Sequence, residues 1–139
     1  MSKTMQISLR AGERVYINGA VVKVDRKVTL ELLNNVVFLL ESHVLQADQT
    51  TTPLRQLYFV LQTILMDPKN AKATLALFRH VLEATQAAFT SDIVVSELRT
   101  VATLVEENRA FDALRLIRAL FDTEAEILSP SRQNPQHAA

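Results

Sequence analysis

The sequence predicts an α+β protein: a small antiparallel β-domain of two hairpins, followed by a bundle of about four helices. Three observations predict it. Asn18-Gly19 separates two runs that alternate apolar and polar residues, the pattern of a two-residue hairpin turn. Asn34-Asn35 separates two further apolar runs. From Thr51 onward apolar residues recur at three- and four-residue spacing, the period of a helix face. The chain divides accordingly into a β-domain over 1–46, a helical bundle over 50–128 and a disordered tail over 129–139.

A two-residue loop at Asn18-Gly19 sets the register of the first hairpin. Ile17 lies opposite Ala20, Tyr16 opposite Val21, Val15 opposite Val22 and Arg14 opposite Lys23. Side chains alternate between faces, so Val15, Ile17, Val22 and Val24 share the buried side. Arg14, Tyr16, Val21 and Lys23 share the other, with Arg10 and Lys27 nearby. Like charges placed opposite each other destabilise a sheet. A face built to hold an anion tolerates them.

The second hairpin pairs 28–33 with 36–41 across Asn34-Asn35. Leu30, Leu32, Val37 and Leu39 then share one face, and Leu33, Val36, Phe38 and Leu40 the other. Apolar residues on both faces imply burial on both sides. One side closes on the first hairpin and the other meets the helices. A helix over 36–45 competes with this reading, because short apolar runs fit both periods; the strand is adopted. A β-segment of about 40 residues is too small to fold alone. It docks on the bundle or on a second copy of the chain, so a homo-oligomer is one of two outcomes.

Thr52 is placed as the cap of the first helix, with Pro53 at its first position. Leu54, Leu57, Tyr58, Leu61 and Leu65 form its inner stripe, and Asp67-Pro68 ends it. A second helix covers 71–89, with Leu75, Phe78, Leu82 and Phe89 inside. Ser91 or Asp92 caps a third, with Val94, Leu98, Val101, Ala102 and Val105 inside, and Asn108 breaks it. A fourth covers 109–121, with Phe111, Leu114, Ile117 and Phe121 inside. Short connections favour antiparallel neighbours. The polar segment after Leu128 holds two prolines and no periodicity.

Composition excludes several classes. No run of about 18 apolar residues exists to span a membrane. No charged, hydrophobic and cleavable leader is present, and there are no cysteines, which agrees with a cytoplasmic protein. With only Gly12 and Gly19 there is no Gly-rich phosphate loop. His43, His80 and His137 lack ligand spacing, so no metal site is expected. Ser8, Ser42, Ser91 and Ser96 sit in no nucleophile-elbow context. No catalytic residue and no cofactor is assigned, and an enzyme is not expected.

Fifteen basic and fifteen acidic residues cancel, but unevenly along the chain. Residues 1–30 hold six cations (Lys3, Arg10, Arg14, Lys23, Arg26, Lys27) against Glu13 and Asp25, a net of +4. Residues 31–139 therefore carry −4. The cations fit a phosphate-binding face and equally fit solvated guards of strand edges. Tyr16 is a base-stacking platform or a cross-strand partner of Val21. Arg109, Arg115 and Arg118 make a second basic stripe, read as self-paired because Glu106, Asp112 and Asp122 stand at helix-neighbour spacing.

Blocks along the chain carry a resemblance. They are Leu9-Arg10-Ala11-Gly12-Glu13, Ile17-Asn18-Gly19-Ala20, Val24-Asp25-Arg26-Lys27-Val28 and Phe38-Leu39-Leu40-Glu41. They continue in His43-Val44-Leu45-Gln46 and Thr51-Thr52-Pro53-Leu54-Arg55-Gln56-Leu57-Tyr58-Phe59. In this order they resemble the flagellum biosynthesis repressor FlbT family, from about Ile7 to about Leu120 and more weakly after Met66. The resemblance implies a post-transcriptional regulator that binds the 5′ untranslated region of flagellin mRNA and affects its decay or translation. It also implies a partner, the flagellin assembly protein FlaF. Arg10, Gly12, Glu13 and Ile17 are further similar to the Arg-x-Gly-Glu-x-x-x-Ile opening of the carbon storage regulator family, whose small β-domains bind mRNA as dimers.

The family motif supplies no RNA-contact residues, so the candidates come from the hairpin register: Arg10, Arg14, Tyr16, Lys23, Arg26 and Lys27. The alternative is a protein–protein adaptor acting through FlaF or flagellin, with the acidic helical half as its surface.

Overall fold

The computed structural model describes residues 5–34 and 36–129. Five strands come first: β1 (Met5–Leu9), β2 (Arg14–Ile17), β3 (Ala20–Lys23), β4 (Val28–Leu32) and β5 (Phe38–Leu40). Among the described residues five α-helices follow: α1 (Pro53–Met66), α2 (Ala71–Ala88), α3 (Asp92–Glu106), α4 (Ala110–Ala119) and α5 (Phe121–Leu128). The α+β class is the one the sequence predicts.

The first hairpin has the expected register, with Arg14 opposite Lys23, Val15 opposite Val22, Tyr16 opposite Val21 and Ile17 opposite Ala20. Its turn holds Asn18 at φ 49° and Gly19 at φ 88°, the pair of positive φ values that a type I′ turn requires. The tip rests on the bundle: a Cβ on Gly19 would lie 3.3 Å from Pro68 Cδ, at the junction between α1 and α2.

The second hairpin does not form. β4 pairs with β1, Leu9 opposite Val28 and Met5 opposite Leu32. β5 instead takes the free edge of β2, Ile17 opposite Phe38 and Val15 opposite Leu40. The reason is the unclaimed strand β1. Met5-Gln6-Ile7-Ser8-Leu9 alternates and needs a partner for its backbone. Once it holds β4, β4 and β5 belong to different sheets. The expected sharing of faces fails with it. Leu30 and Leu32 pack with Phe38 and Leu40 around Ile7, Leu9 and Val15, and Leu33 is 69% exposed. Asn35, half of the expected turn, lies outside the described residues.

The three-stranded sheet, ordered β3-β2-β5, has two buried sides. Val15, Ile17, Phe38 and Leu40 face the small β core. Tyr16 and Leu39, directly paired, face the main helical core. The β-segment thus docks on its own bundle, and β5 packs against α1.

α1 behaves as its sequence reads. Leu54, Leu57, Tyr58, Leu61 and Leu65 are buried, and the Thr52 hydroxyl accepts from Arg55 N–H. Gln62 is buried on the same stripe. Its amide both accepts from Leu45 N–H (2.9 Å) and donates to Leu45 C=O (2.7 Å), which pins the 41–52 connection to the helix. Ser91 caps α3, and Asn108, at φ 64°, separates α3 from α4. The expected fourth helix breaks at Leu120, and a fifth continues to Leu128. Of the tail expected to be disordered, only Ser129 is among the described residues. No helix of the described residues is long and apolar enough to cross a membrane.

Candidate nucleic-acid interface

Strand pairing gathers the cations. Because Leu9 faces Val28 and Arg14 faces Lys23, the connections 10–13 and 24–27 both leave the same end of the β-segment. Gly12 N–H donates to Val24 C=O (2.7 Å), and Val24 N–H to Glu13 C=O (3.3 Å), holding the two connections side by side. Arg10, Arg14, Lys23, Arg26 and Lys27 all sit at this end and all are exposed.

The Arg10-Ala11-Gly12-Glu13 block is a self-closed turn. Glu13 N–H donates to Arg10 C=O (3.0 Å), and the Glu13 carboxylate accepts from Arg10 N–H (2.9 Å). Gly12 takes φ 81°, which side chains rarely adopt. Glu41 reaches across from the chain after β5 to accept from Arg14 N–H (2.9 Å). These two carboxylates are held by backbone amides, not by guanidinium groups.

The electrostatics follow from that arrangement. Arg26 pairs with Asp25 at 3.4 Å, with both side chains about four-fifths exposed. Arg10, Arg14, Lys23 and Lys27 make no ion pair among the described residues. Against Glu13, Asp25 and Glu41 the five cations leave a local charge of +2. A shallow open depression of about 410 Å³ lies between Arg10–Glu13 and Glu41-Ser42.

Tyr16 is not part of this end. It is half-buried, with its ring packed against the main core beside Leu39. The alternation that placed it on the basic face is correct; what covers that face is the bundle. Val21, its cross-strand neighbour on the open edge, is 61% exposed.

The second basic stripe divides. Arg109 pairs with Asp112 at 3.0 Å as expected. Arg115 and Arg118 make no ion pair among the described residues and instead line a groove with Phe38, Leu114 and Phe111. Elsewhere Arg79 on α2 and Glu106 on α3 form a two-point pair at 2.9 Å, exposed on both sides. Among the described residues no group of three or more His, Asp or Glu side chains could hold a metal ion.

The family model described as "Flagellar protein FlbT" matches residues 5–128. Relatives at about half identity cover nearly the whole chain. A protein of Chelativorans sp. (strain BNC1) is 50% identical over 136 residues, 98% of this chain and 94% of its own length. One from Rhizobium johnstonii is 50% identical over 135 residues, 97% of this chain and 91% of its own. One from Agrobacterium fabrum is 48% identical over 135 residues, with the same coverage. Each carries the name "Probable flagellum biosynthesis repressor protein FlbT". No solved structure matches the chain.

Proposed function

The chain belongs to the FlbT family of flagellar proteins, and from that premise we propose that it regulates flagellin expression after transcription, in the cytoplasm, by binding the 5′ untranslated region of flagellin mRNA. The observation that carries the reading is the exposed end of the β-segment, where five cations converge and four of them make no ion pair among the described residues. Arg14 and Lys23, held directly opposite each other, repel in an empty sheet and share a phosphate in an occupied one. Arg10, Arg26 and Lys27 extend the contact along the strand backbone of the RNA. Binding there occludes or remodels the leader and so alters decay or translation. Tyr16 takes no part in stacking, and the protein contributes no catalysis of its own.

The test is the salt dependence of RNA affinity. Purified full-length protein is titrated with the flagellin leader RNA at several salt concentrations. Arg14→Ala with Lys23→Ala keeps the fold and flattens the log–log slope by about 0.7 for each lost phosphate contact on a single strand. An unchanged affinity and slope in the folded double variant would refute the site. The net −4 of residues 31–139 supports a second reading, an adaptor that reaches RNA only through FlaF or flagellin. Under it the purified protein alone shows no salt-dependent RNA binding, and binding appears on adding the partner.

A further inference from the structure

An apolar groove lies on the other side of the Glu41-Ser42 connection from the depression beside Arg10. It has a volume of about 450 Å³ and runs between β5 and α4. Its floor is the place where the two hydrophobic cores meet: Phe38 belongs to the β core and Phe111 packs on the helical core, and their rings lie 5.1 Å apart. Leu40 and Leu114 add apolar walls. A volume of that size falls in the range of small-molecule sites, which combine apolar walls with a few placed polar groups.

Those polar groups are Arg115 and Arg118. They stand three residues apart on α4, so they share a helix face. Neither has a carboxylate partner among the described residues, although Arg109 on the same helix does. Arg118 is only partly exposed. Its charge acts on the groove wall. The His43 ring is held below its ordinary pKa first by burial and then by Arg118, and Arg118 opposes the rise that burial gives the Tyr58 hydroxyl. A guanidinium offers a planar fork of donors that matches a carboxylate.

We propose that this groove binds a small amphiphilic carboxylate, its apolar body against Phe38, Phe111 and Leu114 and its carboxylate on Arg115 and Arg118. The complementarity is chemical: an apolar slot closed at one rim by two cations that form no ion pair among the described residues. A neutral apolar ligand leaves both cations unmatched, and a short hydrophilic anion leaves the slot empty. The site is separate from the RNA reading and does not rest on it. A ligand there touches both cores at once, so it bridges the β-segment and the bundle.

The full-length protein is titrated by calorimetry with octanoate below its micellar range, with octanol and acetate as controls. One octanoate per chain is expected, binding about tenfold or more tighter than either control, since a hydrogen bond to a charged group contributes about 1.5–3 kcal/mol. Arg115→Gln with Arg118→Gln weakens octanoate by about tenfold or more and leaves octanol unchanged. Ala119→Phe, a change at an exposed position on the groove wall, blocks octanoate by filling the slot. Far-UV circular dichroism checks that each variant folds. Octanol binding as tightly as octanoate, an arginine double variant with unchanged affinity, or binding that survives Ala119→Phe overturns the proposal. So does a groove that takes an acidic amphipathic peptide but no octanoate, which would make the occupant a protein.

Discussion

Replacing Glu124 should destabilise the whole chain. The residue is 1% exposed. One carboxylate oxygen accepts from the Thr52 hydroxyl, and the other accepts from Leu54 N–H at 2.8 Å. A helix leaves its first N–H groups without partners inside the helix. In α1 every one is accounted for: Pro53 has none, Leu54 N–H goes to Glu124, Arg55 N–H to the Thr52 hydroxyl and Gln56 N–H to Thr52 C=O. Glu124→Ala strands a fully buried N–H, at about 1–3 kcal/mol. It also removes a negative charge from a helix N-terminus, worth about 0.3–1 kcal/mol or somewhat more when buried. The total is about 1.3–4 kcal/mol. For a chain of this size each kcal/mol moves the midpoint by about 3 °C, so Tm should fall by about 4–12 °C. Glu124→Gln keeps an acceptor for Leu54 and should cost only about 1 kcal/mol. Thermal unfolding followed by circular dichroism measures both, and adding Thr52→Ala to Glu124→Ala should cost less than the sum of the two singles. A Tm unmoved in Glu124→Ala, or raised in Glu124→Gln, would mean that burying the carboxylate costs more than the cap returns, and the reasoning would fail.

Three further outcomes are expected. Gly19→Val forces a β-branched residue to φ 88° and its Cβ to 3.3 Å from Pro68, so urea unfolding should show a loss of about 1–3 kcal/mol; an unchanged midpoint would mean that the turn relaxes freely. Gln62→Leu leaves the buried N–H and C=O of Leu45 unpaired, and should cost about 2–4 kcal/mol in the same assay, whereas a neutral result would show that the 41–52 connection is not held by that amide. His43 should titrate below 6.5 by NMR, held down first by burial and second by Arg118. Arg118→Gln should bring it part of the way back. The folded chain then binds fewer protons than the unfolded one, so His43 contributes nothing above pH 6.5 and stability declines as pH falls from 6.5 through its lower folded value. A His43 pKa at or above 6.5 contradicts this.

Local signals in the sequence settled the local structure. Asn18-Gly19 dictated a turn with two positive φ values, and a two-residue loop allows one register, so Arg14 had to face Lys23. Thr52-Pro53 and Asp67-Pro68 set both ends of α1 because capping and the missing proline N–H act within a few residues. Periodicity chose the inner stripes of α1 and α3 for the same reason. The pairing of β1 with β4 and of β5 with β2 was decided elsewhere. Adjacent apolar runs around Asn34-Asn35 read as a hairpin, yet every strand edge competes for partners across the whole segment, and no short window records the winner. Covering of the Tyr16 face is likewise a matter of what packs on it: alternation gives the side on which a residue lies, not whether that side meets water or Leu39 and the bundle. Glu124 and Gln62 read as ordinary polar residues of amphipathic helices. Their roles exist only because Leu54 N–H, 70 residues away from the first, and Leu45, 17 from the second, come to rest beside them. The same holds for the cations. Their number was plain in the sequence, but the convergence of five of them at one end, and the placement of Arg115 and Arg118 on a groove with no ion pair among the described residues, depends on how the strands paired and how α4 came to lie against β5.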